Sequence, residues 1–253
     1  MPVRSFGPST VWAGRTDIAN STPVKFGAMQ NLTLSYKGTL KKLMGQGQFA
    51  EAFGRSEVAV SGKISYGHFQ GGVFGSLFFG NAMAAGMLNT VQAEAAVIPA
   101  EAPYTVIAAQ AASFFSDNGV SYAATAVPLQ QVASAPAVGQ YAVNVATGTY
   151  TFAAADEGKA IVYDYVTKSA TAGQSMTISQ VAQGIQPVFQ IVNERVFNGP
   201  NGLEKIVMTL NACYADDLET PTKQGDWGMQ DMGFQAGVDI TGTLGTINLN
   251  QVT

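Results

Sequence analysis

The stretch SEVAVSGKISYGHF, running from Ser56 to Phe69, decides the fold class. Val58, Val60, Ile64, Tyr66 and His68 share one parity, and Glu57, Ala59, Ser61, Lys63 and Ser65 share the other. That alternation is the period of a half-buried β-strand, with one face on a core and one in solvent. It predicts that His68, the sole histidine, points to the packed face. Upstream, VKFGAMQNLTLSY (24–36) ends in the same alternation and predicts a partner strand. Between the two, GTLKKLMGQGQFAEAFGR passes through Gly45 and Gly47. Residues 32–68 therefore predict one long hairpin with a broad loop over Met44–Arg55.

The same reading extends outward. Residues 1–23 are rich in Ser, Thr, Pro and Gly, lack a period, and predict an extended arm or loop. After the hairpin, QGGVFGSLFFG (70–80) places Val73, Phe74, Leu77 and Phe78 at helical spacing. It predicts one short α-helix packing its phenylalanines on the sheet, with Gly80 as its C-terminal cap. Residues 81–176 turn Ala-, Val- and Thr-rich. The strand-like runs PYTVIAA, GVSYAATAV, QYAVNV, GTYTFAA and KAIVYDYVT alternate with turn signals at Asp117-Asn118-Gly119, Ala135-Pro136, Thr147-Gly148 and Asp156-Glu157-Gly158. This spacing predicts a small all-β insertion. Residues 177–253 return to long strands: QPVFQIVNERVF and LEKIVMTLNAC flank the turn Asn198–Gly202. YADDLETPTKQGD reads as a polar connection. In WGMQDMGFQAGVDI, Met232, Phe234, Ala236, Val238 and Ile240 share a parity. The expected fold is mainly β, with a discontinuous core over 1–80 and 177–253 and an insertion over 81–176.

Composition excludes several functions. Only 12% of residues are charged, about half the usual ~25%, which suits a surface that faces other protein. The net charge is −4, and no basic stripe marks a nucleic-acid reader. Charge is polarised, however: residues 1–63 carry a net +5 and residues 194–253 a net −5, which fits either complementary surfaces on stacked copies or two ordinary solvated faces. One cysteine, Cys213, permits no intrachain disulfide. The opening MPVRSFGPSTVWAG has no apolar h-region, and no run of ~18 apolar residues exists, so neither a leader peptide nor a membrane helix is expected. Successive lipid-length strands are also missing from the middle of the chain, which argues against a membrane barrel. One His and one Cys in separate strands make no metal set. The acidic runs at Asp216–Glu219 and Asp156-Glu157 lack the alternating oxygen ligands of a calcium loop and read as solvated loops. A triad would have to use His68, and no GxSxG elbow accompanies it. Gly45-Gln46-Gly47 lacks the third glycine and the Lys of a phosphate loop. No catalytic residue, cofactor or metal is expected.

The hairpin region VKFGAMQNLTLSYKGTLKKLMGQGQFAEAFGRSEVAVSGKISYGHF, the segment QGGVFGSLFFG and the closing IVMTLNACYADDLETPTKQGDWGMQDMGFQAGVDITGTLGTINL together resemble the major tail tube proteins of tailed bacteriophages. The likeness covers roughly residues 20–80 and 185–250. VASAPAVGQYAVNVATGTYTFAAADEGKAIVYDYV resembles an insertion found in structural proteins of the same phages. The resemblance implies a β-sandwich or barrel with a flanking helix. It implies rings, six copies each, whose sheets join into an inner barrel, stacked head to tail into a tube that conducts DNA. Implied partners are further copies, tape-measure, tail-terminator and baseplate or tip proteins, and in contractile tails a sheath. The implied location is the virion tail, after synthesis in the host cytoplasm. The hairpin loop and the chain ends would make the ring-to-ring contacts. On the loop, Met44, Gln46, Gln48, Phe49, Phe53 and Arg55 are the candidate stacking residues. On the polar parity, Glu57, Ser61, Lys63 and Ser65 are the candidate channel-facing residues, with His68 turned away. The alternatives are a β-sandwich carbohydrate-binding module and a ring-forming capsid decoration protein.

Overall fold

The computed structural model describes Gly7 and residues 9–180, 182–199 and 202–250. Among them lie fifteen strands: β1 (Thr10–Arg15), β2 (Val24–Lys25), β3 (Met29–Met44), β4 (Ala50–Tyr66), β5 (Ala84–Val97), β6 (Thr105–Ile107), β7 (Phe114–Tyr122), β8 (Gln130–Gln131), β9 (Gln140–Asn144), β10 (Thr149–Phe152), β11 (Ala160–Ser175), β12 (Phe189–Gly199), β13 (Gly202–Glu219), β14 (Gln230–Gly237) and β15 (Gly245–Leu249). The fold is mainly β. The chain divides into two compact units, one of the described residues up to Met83 and from Met176 onward, the other Ala84–Ser175.

The first unit is an eight-stranded sheet in the order β2-β1-β12-β13-β14-β4-β3, with β15 beside β13. β14 and β15 divide one edge of β13 between them, pairing with Ala212–Glu219 and Ile206–Leu210 respectively. The sheet curls on itself. The Tyr36 hydroxyl of β3 donates to Sδ of Met208 on β13 at 3.6 Å, and Arg195 Nη2 of β12 reaches the Leu32 carbonyl at 3.5 Å. Inside the curl pack Phe26, Ile64, Tyr66, Phe189, Ile191, Met232 and Phe234, closed over by Val73 and Leu77 of the helix. Each such side chain contributes about 1.5–3 kcal/mol by leaving water. Gly62 sits where a Cβ would meet the Phe234 ring at 2.3 Å, so its bareness makes room for that ring.

Several expectations change here. The helix is a π-helix, Gly72–Phe79, rather than an α-helix. Its wide turn puts Val73, Gly75 and Leu77 inward. Phe74, Phe78 and Phe79 stay half-exposed in a chain of ring contacts that begins at Phe69. Bare glycines at 71 and 75 let Met83 and Met176 pack where a Cβ would stand, which favours the wider winding. Gly80 does cap it, at φ 74°. The region 1–23 is not all loop: β1 lies inside the sheet, with Val11 and Ala13 buried, while residues 1–6 and 8 fall outside the described part. Met44–Arg55 is not a broad loop. The strands pair as far as Met44 with Ala50, leaving a turn of residues 45–49, because a paired ladder satisfies backbone groups that a loop would leave to water. β4 stops at Tyr66, so His68 lies on an exposed bend and not on the packed face. β14 likewise stops at Gly237, and Val238 and Ile240 stand in solvent. β13 runs through Glu219, absorbing the first half of the supposed polar connection. Of the turn between β12 and β13, Pro200 and Asn201 lie outside the described residues.

The second unit holds a three-stranded sheet, β5-β11-β7, and a four-stranded one, β6-β10-β9-β8. Tyr141, Tyr150 and Phe152 from one sheet and Val120, Ile161, Tyr163 and Tyr165 from the other form a single core. Each run expected as a strand contains one, though GVSYAATAV is strand only to Tyr122 and PYTVIAA only over Thr105–Ile107. Asp117-Asn118-Gly119 is not a turn, however. It lies within β7, at a register shift against β11, with Gly119 at φ 120°. β5 and β11 pair to their outer ends, Ala84 with Ser175.

Candidate assembly surfaces

The hairpin β3–β4 is anchored at one end only. From Met29 to Leu34 and from Val60 to Tyr66 its inward face joins the core. From Lys37 to Ala59 every described side chain is exposed except the partly covered Ala50. Beyond the core the two strands continue for eight residues from Lys37 to Met44, roughly 26 Å at 3.3 Å per residue. A lone two-stranded ribbon is marginally stable in water. This one also carries an apolar stripe. Opposed residues on antiparallel strands share a face. The register sets Tyr36 opposite Val60, Gly38 opposite Val58, Leu40 opposite Arg55, Lys42 opposite Phe53 and Met44 opposite Ala50. Tyr36, Leu40, Met44, Phe53 and Val58 are therefore one stripe, continuing the buried face of the sheet out into solvent. Phe49 stands at the tip, 85% exposed.

A β-bulge decides which residues join that stripe. Thr39 pairs with Glu57 but Leu40 pairs with Arg55, so Ser56 is the extra residue. One extra residue inverts the parity beyond it. Phe53 and Arg55 thereby move to the face of Val58, while Glu57 keeps the face of Ser61. Of the six candidate stacking residues, Met44, Phe53 and Arg55 share the stripe, and Gln46, Gln48 and Phe49 form the turn. Sequence reasoning missed Tyr36, Leu40 and Val58 as members. Their signal was present in the alternation, which does not stop where the core stops.

The opposite face of the sheet is polar. Across β3, β4, β14 and β13 the rows read Asn31, Ser65, Asp231, Glu219; then Thr33, Lys63, Gly233, Asp217; then Ser35, Ser61, Gln235, Tyr214. Glu57, Ser61, Lys63 and Ser65 do share this face, with Ser61 and Ser65 half-buried and Glu57 out on the ribbon. Lys63 Nζ lies 3.0 Å from Asp231 and 3.6 Å from Glu219. The hydrogen bond to Asp231 raises the Lys63 ammonium above its ordinary value. Burial works against ionisation of Asp231, but the Ser65 hydroxyl and Lys63 outweigh it and hold the carboxyl below its usual range. Gln235 Nε2 donates to Asp216 at 2.7 Å. The face is thus an acidic field around one neutralised lysine.

Elsewhere the polar groups read as scaffold. In the second unit, Glu94 accepts from the hydroxyls of Tyr163 and Tyr165 and from the Ala109 amide. Asp117 accepts from Tyr141 and Tyr150 at 2.5 and 2.9 Å. Asp156 accepts from Tyr122, Lys159 and the Gly139 amide. Burial pushes the Tyr141, Tyr150 and Tyr163 phenols well above their ordinary value. Among the described residues no group of three His, Cys, Asp or Glu could hold a metal, and no helix is long and apolar enough to cross a membrane. Cys213 is buried, and burial pushes its thiol up to about 12. An open cavity of about 550 Å³ lies in the first unit between Asp17, Gln190, Asn211 and the Val238–Ile240 segment. Asp239 in its wall is already occupied by Thr241, Thr243 and Asn211. No protein-family model matches the chain, and no curated protein matches it.

Proposed function

We propose that the chain is a self-assembling structural subunit, the tube-forming protein of a bacteriophage tail. The observation that carries this reading is the β3–β4 ribbon, a solvent-exposed extension of the core face bearing Tyr36, Leu40, Met44, Phe49, Phe53 and Val58. Exposed apolar surface of that extent marks an interface. β3 is also the end strand of its sheet, sixteen residues long, and a paired neighbour would remove the liability of such an edge. Pairing of β3 with a different edge of the next copy is heterologous and closes into a ring when the rotation allows. Six copies per ring, head-to-tail stacking, and capping by tape-measure, terminator and baseplate or tip proteins follow from the tail-tube resemblance. In such a ring the polar face bearing Ser61, Lys63 and Ser65 would line the channel. The carboxylates around Ser61, Lys63 and Ser65 would keep passing DNA from sticking, and the pairing of Lys63 with Asp231 and Glu219 neutralises the lysine among them.

Negative-stain electron microscopy of the purified protein tests this reading. Rings or tubes of uniform bore are the expected result. A strictly monomeric particle at high concentration, which also fails to polymerise on tail-initiation complexes, would overturn it.

A further inference from the structure

The sheet has two unlike ends. One carries the ribbon. At the other, β3 begins, β4 ends at Tyr66, and the connection of residues 220–229 joins β13 to β14. That connection presents Trp227, 83% exposed, beside Asp226, whose Oδ1 accepts from the Trp227 amide at 2.7 Å. Phe69, also exposed, follows β4 at the same end.

The ends are complementary. The ribbon from Lys37 to Ala59 holds Lys37, Lys41, Lys42 and Arg55 against Glu51 and Glu57, a net +2. Residues 216–231 hold Asp216, Asp217, Glu219, Asp226 and Asp231 against Lys223, and Lys63 lies paired with Glu219 and Asp231, so the net charge there is −3. The two cannot meet within one copy. Asn31 stands in the row of Glu219, and the thirteen residues from there to Met44 span roughly 43 Å of strand. A basic, aromatic-tipped ribbon and an acidic end with an exposed tryptophan, facing opposite ways along the strands, fit each other across two copies.

We propose that the connection around Trp227, with Asp226, is the receptor for the β3–β4 ribbon of a second copy of this chain. This rests on the self-assembly reading and names the surface that the ribbon meets. The apolar tip and stripe would cover Trp227, and Lys42, on the face of the stripe, would approach Asp226, which lies 4.0 Å from Lys223 of its own chain. Rim charges of this kind steer association and set its salt dependence more than its strength.

Complementation between two defective variants tests it. Phe49→Ser with Phe53→Ser spoils the ribbon and leaves the receptor; Trp227→Ser with Asp226→Lys does the reverse. All four positions are exposed, so both variants should keep the wild-type circular dichroism. Each alone should need at least tenfold more protein to assemble. Mixed, they should form a species two units or two rings long, and no longer. In a Trp12→Phe background, Trp227 emission should shift to the blue on assembly. It should stay unshifted when the ribbon is spoiled. If the Trp227→Ser/Asp226→Lys variant assembles like the wild type, the receptor is elsewhere and this inference falls while self-assembly stands. If the wild type itself never assembles, it is the self-assembly reading that fails.

Discussion

Asp117 illustrates what a single carboxylate does in this protein. It lies on β7 and holds the hydroxyls of Tyr141 and Tyr150, on β9 and β10 of the facing sheet. Glu94 on β5 holds those of Tyr163 and Tyr165 on β11. Each bond joins a phenol to an ionised group, and such bonds are worth about 1.5–3 kcal/mol. Tyr150→Phe should therefore destabilise the second unit by about that much in thermal or urea unfolding. Acid should act on Glu94 and on Asp156. Burial opposes ionisation of Glu94 and Asp156, but the donors outweigh it and hold both below the ordinary carboxylate range. The unfolded chain thus binds their protons first as pH falls. The stability they contribute is present above the ordinary range and is lost on descent through their folded-state values. Tyr163→Phe, which frees Glu94 of one donor, should move the acid unfolding midpoint to higher pH, read by near-ultraviolet circular dichroism. At the alkaline side the raised phenols work the other way. Their contribution is whole below about 10, the ordinary tyrosine value, and fades above it. None of these pairings could be read from the sequence. The partners lie 24 to 71 residues apart, and Asp117-Asn118-Gly119 carries the residue types of a turn, so the reading took its acid for loop chemistry.

Among the elements, β4 was legible where it is regular and misleading where it bends. From Val60 to Tyr66 alternation alone assigned every face correctly, because the core lies on one side and water on the other. Beyond Ser56 the reading left Phe53 and Arg55 in a broad loop and gave them no face. A bulge is a property of the pairing with β3, and one strand's alternation does not reveal it. Inserting one residue between Thr39 and Leu40 should give Ser56 a partner and remove the bulge, turning Leu40, Met44, Phe53 and Arg55 to the polar face. The variant should fold, since nothing beyond Ala59 is buried, yet it should assemble poorly in sedimentation velocity. Gly62 is the opposite case. It sits where alternation expects an apolar side chain, and Phe234 fills the space. Gly62→Ala should cost about 1–3 kcal/mol through overpacking. β1 went unread because its buried members, Val11 and Ala13, are few and small, and Ser, Thr and Pro crowd its flanks. The helix was placed correctly and its cap at Gly80 was found, but its neighbours Met83 and Met176 were not, the second returning only after 92 intervening residues.

For the molecule as a whole, charge polarity was the property most visible in the sequence. The structure gives it a direction along the strands, and assembly should weaken as salt rises from about 0.05 to 0.5 M, measured by light scattering. The division into two units has a further reading. The strands that lead into and out of the second unit, β5 and β11, are paired at Ala84 and Ser175, so the chain leaves and rejoins the first unit at neighbouring points, about 5 Å apart as paired strands are. A short Gly-Ser bridge from Met83 to Met176 should then leave the first unit folded and competent to assemble, as seen by electron microscopy. By the same token, that gap is a socket. A foreign domain whose own ends lie close together could be spliced there in place of residues 84–175. It would then be displayed once per subunit, at a spacing set by the proposed assembly.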